Sequence, residues 1–290
     1  MNVSPAQEKQ MADEYIPKMS KDYPRIQHSG FQNYLNGIGQ KIVQSNGLAG
    51  KPYNYNFSVV DSAGINAFAL PAGTVFVTAP LIAMADSEAE LAGVIGHEVG
   101  HIQARHTAER MYLQQNSQKK SLLWTLGGVA LGGLLGVGLG RLMCDSRDKD
   151  CISKATKTGA MLGVAGGLLV TKYGFMANSR EDEMEADRIG FRTSVKAGYH
   201  KDHVGRFYNK LLAMDKKRKQ GGSILGGIAD AMSTHPPSQE RVNQMMMMAG
   251  ESKSGAGKIS SKTFEQYRAY SKEIAAKAKV RAEARQKQQS

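Results

Sequence analysis

The stretch His97-Glu98-Val99-Gly100-His101 sets three ionisable side chains inside an otherwise apolar run, and that narrows what the chain can become. Leu91, Val94, Ile95, Val99 and Ile102 recur around it at helical spacing, which predicts a long, largely buried helix. Ser87 and Glu90 stand just ahead at the spacing of a capping box, so the helix is expected to start there. Residues four apart share a helix face, and His97 and His101 can aim both imidazoles at one cation. Glu98 lies one step round, where a carboxylate can reach a water held at that cation and act as its base. A buried helix tolerates such a cluster either as metal ligands or as core histidines satisfied by hydrogen bonds.

A catalytic zinc takes three protein ligands and keeps a fourth position for water. His106 is the nearest candidate for the third, but it stands nine residues after His97. At about 100° per residue a continuing helix places it on the opposite face, as a structural or surface histidine. The metzincin pattern asks for a histidine ten residues after the first and a glycine seven after it; Thr107 and Ala104 occupy those positions. A better donor lies in Ser179-Arg180-Glu181-Asp182-Glu183-Met184-Glu185-Ala186-Asp187-Arg188-Ile189-Gly190. Ser179 can cap a helix that runs to about Lys196, with Gly198 as its stop. Glu183 and Asp187 share one face of that helix. Glu183 is spaced to bind the metal while Asp187 orients the second nitrogen of a ligand histidine. Glu181 and Asp182 have a plainer explanation, since acidic side chains early in a helix complement its dipole.

With these two helices the chain resembles metallopeptidase family 48, the group of the HtpX and CAAX prenyl protease enzymes, and within it the exported bacterial branch of the BepA and LoiP type. The resemblance covers about residues 4 to 250. Tyr34 to Val43 is similar to the family's N-terminal helix, and Asn66-Ala67-Phe68-Ala69-Leu70-Pro71-Ala72-Gly73 to its signature strand and turn, with Ala72 where the family often has glycine. Ser233-Thr234-His235-Pro236 is similar to a later motif near the metal. The resemblance implies a zincin-like core with one Zn2+ per chain, held by His97, His101 and Glu183, with Glu98 as general base. It also implies that His235 stabilises the tetrahedral intermediate of peptide hydrolysis. The plainer alternative is a histidine that starts the turn before Pro236-Pro237, and a third is a gate that approaches the metal at rest. Arg241 would support that loop or the intermediate. Asn66, Ala67, Phe68 and Ala69 would form the edge strand that accepts an extended substrate, a mode tolerant of side-chain sequence.

A chain of 290 residues can bury the core of one catalytic domain with appendages. Residues 5 to 48 read as helical and Gly47 to Pro52 as a loop. Tyr55 to Val60, Ile65 to Ala69 and Thr74 to Thr78 read as strands, with Pro71-Ala72-Gly73 turning between the last two. The expected fold is α+β, mainly helical, with a small sheet packed on the metal-site helix. No signal peptide is recognisable, because the first 20 residues are polar and charged. The chain is then either cytosolic or a processed form, and the resemblance and the cysteines favour the periplasm or cell envelope.

Between the two metal-site helices, residues 121 to 140 carry no charge, and Gly128, Gly132, Gly136 and Gly140 recur every four residues. Gly159, Gly163 and Gly167 repeat the pattern, and the whole of 121–176 reads as a Gly-rich helical hairpin. Such faces allow close backbone contact, as in membrane helix pairs. A span needs about 20 apolar residues. The first segment just meets that length, whereas the second, Thr158 to Thr171, offers 14 uncharged residues before Lys172. A hairpin beside the cleft is favoured over insertion in a membrane. Cys144 and Cys151 bracket its polar tip, which fits a disulfide in an oxidising compartment or two free thiols in a reducing one.

Charge is uneven. Residues 251 to 290 carry ten Lys/Arg against four Glu, half of the formal +12. Phe264, Tyr267, Ser271 and Ile274 suggest a helix that docks weakly, followed by a basic run suited to anionic headgroups or acidic proteins. A solvated helix or frayed tail is favoured, and no nucleic-acid reader motif accompanies the charge. The expected organisation is a zinc metallopeptidase domain over 1–250 and a basic helical tail over 251–290. The expected function is zinc-dependent endoproteolysis of unfolded or misassembled proteins in envelope quality control. The rivals are a chaperone-like assembly factor with a latent zinc site and a membrane-associated oligomer built on the glycine faces.

Overall fold

The computed structural model describes residues 3–126, 172–220 and 228–289. The first helix, α1 (Pro5–Asp22), is set by a capping box between Ser4 and Gln7 with proline at its first position. The helical reading of 5 to 48 is broken here. Pro24 pushes Tyr23 out of the helical region (φ −124°, ψ 69°), and the chain restarts at α2 (Ser29–Ser45), where the His28 ring accepts from the Phe31 amide.

Three strands follow: β1 (Asn56–Val60), β2 (Ala67–Leu70) and β3 (Thr74–Thr78), ordered β1-β3-β2. β1 runs parallel to β3 and β2 antiparallel to it, with Phe68 opposite Phe76. Alternation splits the side chains between two layers. Phe57, Val59, Ala67, Ala69, Val75 and Val77 join the main core, while Val60, Phe68, Leu70 and Phe76 meet Met11 and Met19 of α1 in a second cluster. The sheet is therefore covered on both faces. Gln32 of α2 covers the outer edge of β1, giving its amide to Val59 O and taking the Val59 N–H at 2.8 and 2.9 Å.

After α3 (Ala79–Met84), Ser87 caps α4 (Glu88–Ala104), the buried metal-site helix. Only half of the expected capping box forms. Ser87 accepts from Glu90 N, but the Glu90 carboxylate reaches back to Asp86 N and to Lys210 instead. α4 ends at Arg105, whose left-handed backbone (φ 66°) turns the chain into α5 (His106–Leu126). The Arg105 side chain pairs with buried Glu8 of α1, which also accepts from Tyr53.

The second metal-site helix, α6 (Arg180–Lys196), has a full capping box from Ser179 and Asp182, and Gly198 follows it at φ 85°. α4 and α6 cross at nearly backbone contact. A Cβ on Gly190 would sit 2.6 Å from His97 N, and one on Gly100 would sit 2.7 Å from Ala186 O. Short α7 (Lys201–Val204) leads to α8 (Arg206–Lys219); then come α9 (Ala229–Thr234), α10 (Gln239–Glu251) and α11 (Lys262–Gln289).

The C-terminal segment departs from the expected solvated tail. Lys258 bridges Tyr199, Ile259 O accepts from Ala89 N, and buried Glu88 pairs with Lys258 and Ser261. Phe264, Ser271 and Ala278 are buried, and Tyr267 stacks on Phe31 with ring centres 4.9 Å apart. Among the described residues no helix is long and apolar enough to cross a membrane. The glycine faces at Gly128, Gly132, Gly136, Gly140, Gly159, Gly163 and Gly167, and the Cys144–Cys151 pair, lie outside the described residues.

Candidate metal centre

Close crossing of α4 and α6 decides the geometry. It brings His97 and His101 on one helix against Glu183 and Asp187 on the other, all four buried. His235, at the C-terminal end of α9, completes the group. One ligand atom from each of His97, His101, Glu183 and His235 lies within 4.8 Å of the others.

Hydrogen bonds at the far side of each ring set the tautomers. His97 Nδ1 lies 2.8 Å from Asp187 Oδ1, a carboxylate that favours the proton on Nδ1 and leaves the lone pair on Nε2. His101 Nδ1 lies 2.9 Å from His106 Nδ1, and His106 Nε2 in turn faces Glu185 at 3.4 Å. Donation along that line leaves the His101 lone pair on Nε2 as well. His235 Nε2 is 3.1 Å from Ala67 O, a carbonyl that can only accept, which leaves its lone pair on Nδ1. Nε2 of His97 and His101 are then 3.0 Å apart, and Nδ1 of His235 is 3.3 Å from His97 Nε2. Lone pairs facing at that distance repel unless a cation or a shared proton lies between them. Imidazole nitrogens with one carboxylate are the donor set of zinc, so the residues fit the ion.

The electrostatics point the same way. Burial alone would lower the His97 pKa, but Glu183 and Asp187 raise it to about 10. His101 is pushed well below its ordinary value by burial and then by charge on His97. Burial would raise Glu183 and Asp187, yet both are held low, first by the Arg241 charge. Arg241 is itself buried and bridges the two, with Nε 2.7 Å from Asp187 Oδ2 and Nη1 on Glu183. Glu98 is raised by burial, a shift in the direction a general base at neutral pH needs.

Asn66 to Ala69 lie at the sheet edge facing this group. Asn66 O accepts from Thr78 N, so by antiparallel alternation the carbonyls of Ala67 and Ala69 point away from β3. His235 occupies the first, and Thr107 Oγ1, at 3.2 Å, the second. Phe68 turns to the opposite layer, against Tyr23.

The sequence reading set His106 apart from the metal group, gave Arg241 only the loop or the intermediate, and left out Asn178 and Tyr208. His106 is buried and joined to His101, because the helix ends one residue before it; a left-handed arginine gives no sequence signal for that break. Arg241 holds two carboxylates as well as the Pro236 carbonyl. Asn178 gives its amide to Thr234 O at 2.8 Å and stands 3.3 Å from His235 Nδ1, tying that turn to the start of α6. Tyr208 lies under the Arg241 guanidinium, 4.7 Å from ring centre to Cζ.

Residues 31–249 match the model of peptidase family M48. The chain belongs to that family. It is similar to the beta-barrel assembly-enhancing proteases of Escherichia coli K12 and Yersinia pestis, each at 27% identity. Those alignments cover 86% and 85% of this chain but 47% and 45% of the relatives. It is also similar to the mitochondrial metalloendopeptidase OMA1 of Arabidopsis thaliana, at 33% identity over 63% of this chain and 29% of that protein. The chain thus spans about half the length, or less, of these curated relatives. As a chain of the M48 family it carries a buried His/Glu donor group that could hold a metal ion.

Proposed function

We propose that the chain is a zinc endopeptidase of the cell envelope acting on unfolded or misassembled proteins. The observation that carries the chemistry is the convergence of three lone-pair nitrogens and one carboxylate beside a buried glutamate. The setting is supported by relatives named for assembly of beta-barrels. His97, His101 and Glu183 would hold the ion, and Asp187 and His106 fix the two histidine rings. Zinc bound there would acidify a water and polarise the scissile carbonyl. Glu98 takes the proton of the attacking water and later delivers it to the leaving amine. Arg241 keeps Glu183 ionised and aligned.

The closeness of His235 to the other three donors supports a resting state in which it would take the place of a water or a substrate oxygen. The same ring caps Ala67 O, the carbonyl an incoming substrate strand would use. One movement of His235 would open the metal and free the edge together. We therefore read His235 as a gate at rest, and as a donor to the oxyanion once substrate is bound. The exposed basic side chains of α11, among them Lys272, Lys277 and Lys279, suit apposition to anionic headgroups.

Casein degradation by the purified protein tests the reading. Cleavage is expected with zinc and is lost with chelator. The Glu98→Gln variant should keep about one zinc per chain and the fold while cleaving nothing. If wild type and variant suppress aggregation equally and neither cleaves, a binding factor replaces the enzyme.

A further inference from the structure

His235 stands at the end of α9, a helix of six residues, too short to be held by its own backbone bonds. The turn that carries it is pinned from both sides. After it, Arg241 Nη1 donates to Pro236 O at 3.2 Å, but the same guanidinium is committed to Glu183 and Asp187. Before it, Thr234 O accepts twice from Asn178, from the side-chain Nδ2 at 2.8 Å and from the backbone N–H at 3.3 Å. Asn178 Nδ2 also stands 3.3 Å from His235 Nδ1 and 3.4 Å from His101 Nε2, so the amide lies against the ring and the donor group. Arg110 of α5 aims that amide. Its Nη2 donates to Asn178 Oδ1, which turns Nδ2 toward Thr234. The guanidinium is itself fixed, with Nε donating to Phe175 O at 2.8 Å and Nη1 paired with Asp182.

We propose that Asn178, aimed by Arg110, is the latch that holds the His235 turn closed on the metal group. This rests on the reading of His235 as a gate. Of the two pins, Arg241 is not the one that lets go, because its release would leave two buried carboxylates unpaired. The bonds from Asn178 are neutral and the residue is only partly buried, so they break at far less cost. Thr234 Oγ1 adds a longer bond, 3.3 Å, to Asn66 Oδ1. Asn178 is a positioning residue, since it acts on the chemistry only through the ring it holds. Its removal shifts the resting balance toward the open ring and leaves His97, His101 and Glu183 in place.

The test follows the His235 ring directly. In zinc-loaded protein carrying 15N-histidine, the imidazole resonances distinguish a metal-bound nitrogen from a free or protonated one, and His235→Ala assigns the His235 signal. Asn178→Ala should move that signal from the metal-bound toward the free position. It should also raise the initial rate of casein cleavage by about three- to tenfold, the weight of one neutral hydrogen bond, and add nothing in the His235→Ala background. Arg110→Lys keeps a charge beside Asp182 but loses the fork that aims the amide, so it should act in the same direction and more weakly. It carries the test alone if Asn178→Ala does not fold. An unchanged His235 signal in the variants overturns the proposal, as does an equal rise in rate with and without His235. A ring freed by Asn178→Ala, with rates that fall both there and in His235→Ala, sinks the gate reading and keeps the latch. A wild-type ring already off the zinc overturns both.

Discussion

At the residue scale the decisive side chain is His235. Its Nδ1 faces Glu183 Oε1 at 3.0 Å and its Nε2 lies 3.5 Å from Glu98 Oε1, so one ring touches both the metal side and the base side of the site. If His235 holds the ion at rest as proposed, it leaves no position for substrate oxygen, and resting activity should be limited by how often this ring leaves. His235→Ala is expected to raise the initial rate of zinc-dependent casein cleavage several-fold. A fall of about 100-fold in kcat with KM little changed would instead make His235 a transition-state donor without a gating role. Ala72 illustrates a different residue-scale point. Its φ of 62° is left-handed, a conformation costing a non-glycine residue about 1–2 kcal/mol. Gly73 beside it, at φ 102°, has Asn54 O 2.9 Å from where a Cβ would stand.

At the scale of elements, metal geometry is a matter of how closely α4 and α6 cross. The atoms nearest a Cβ on Gly190 are the backbone N and Cα of His97, at 2.6 and 2.7 Å, and backbone cannot swing aside as a side chain can. Gly190→Ala must part the helices, pulling Glu183 and Asp187 away from His97. We expect a loss of about 1–3 kcal/mol in stability and at least tenfold in zinc affinity, read by unfolding and by competition with a chromophoric chelator. Gly37→Ala is the control, since nothing lies within 4 Å of its Cβ position on exposed α2 surface. It should be neutral or stabilising by up to about 1 kcal/mol. Equal zinc affinity in both variants would show that the close crossing does not set the site. Both metal-site helices were legible because their caps and apolar spacing are local patterns, and so were the three strands. The break at Arg105 was not, since nothing distinguishes an arginine that turns left-handed from one that continues a helix. For the same reason His106 looked remote from His101. Tyr208 was invisible because its role depends on three elements meeting, and single-chain spacing carries no such information.

At the scale of the whole molecule, the question is whether the C-terminal segment is an appendage or part of the fold. Composition argued for an appendage, because a strongly basic, Lys- and Ala-rich run reads as solvated helix. The structure gives it three anchors. Buried Glu88, at the start of the metal-site helix, takes its partners from Lys258 and Ser261. Phe264 is fully buried in the main core, and Tyr267 lies between Phe31 and Tyr34 of α2. Further along, Arg281 reaches Asp61, in the connection between β1 and β2, at 2.6 Å. The segment thus joins α2, the first turn of α4 and the sheet, and each contact is made by one or two residues that periodicity alone cannot weigh. Phe264→Ala separates the alternatives. Loss of a buried phenylalanine costs about 3–5 kcal/mol when the site belongs to a cooperative core. In urea unfolding of the zinc-loaded protein, the midpoint should fall, and zinc release should follow the same shifted transition as the loss of helix. If Phe264→Ala melts the C-terminal helix early while zinc release keeps the wild-type midpoint, the segment is a detachable tail and the anchors at Glu88 and Phe31 do not bind it to the catalytic core.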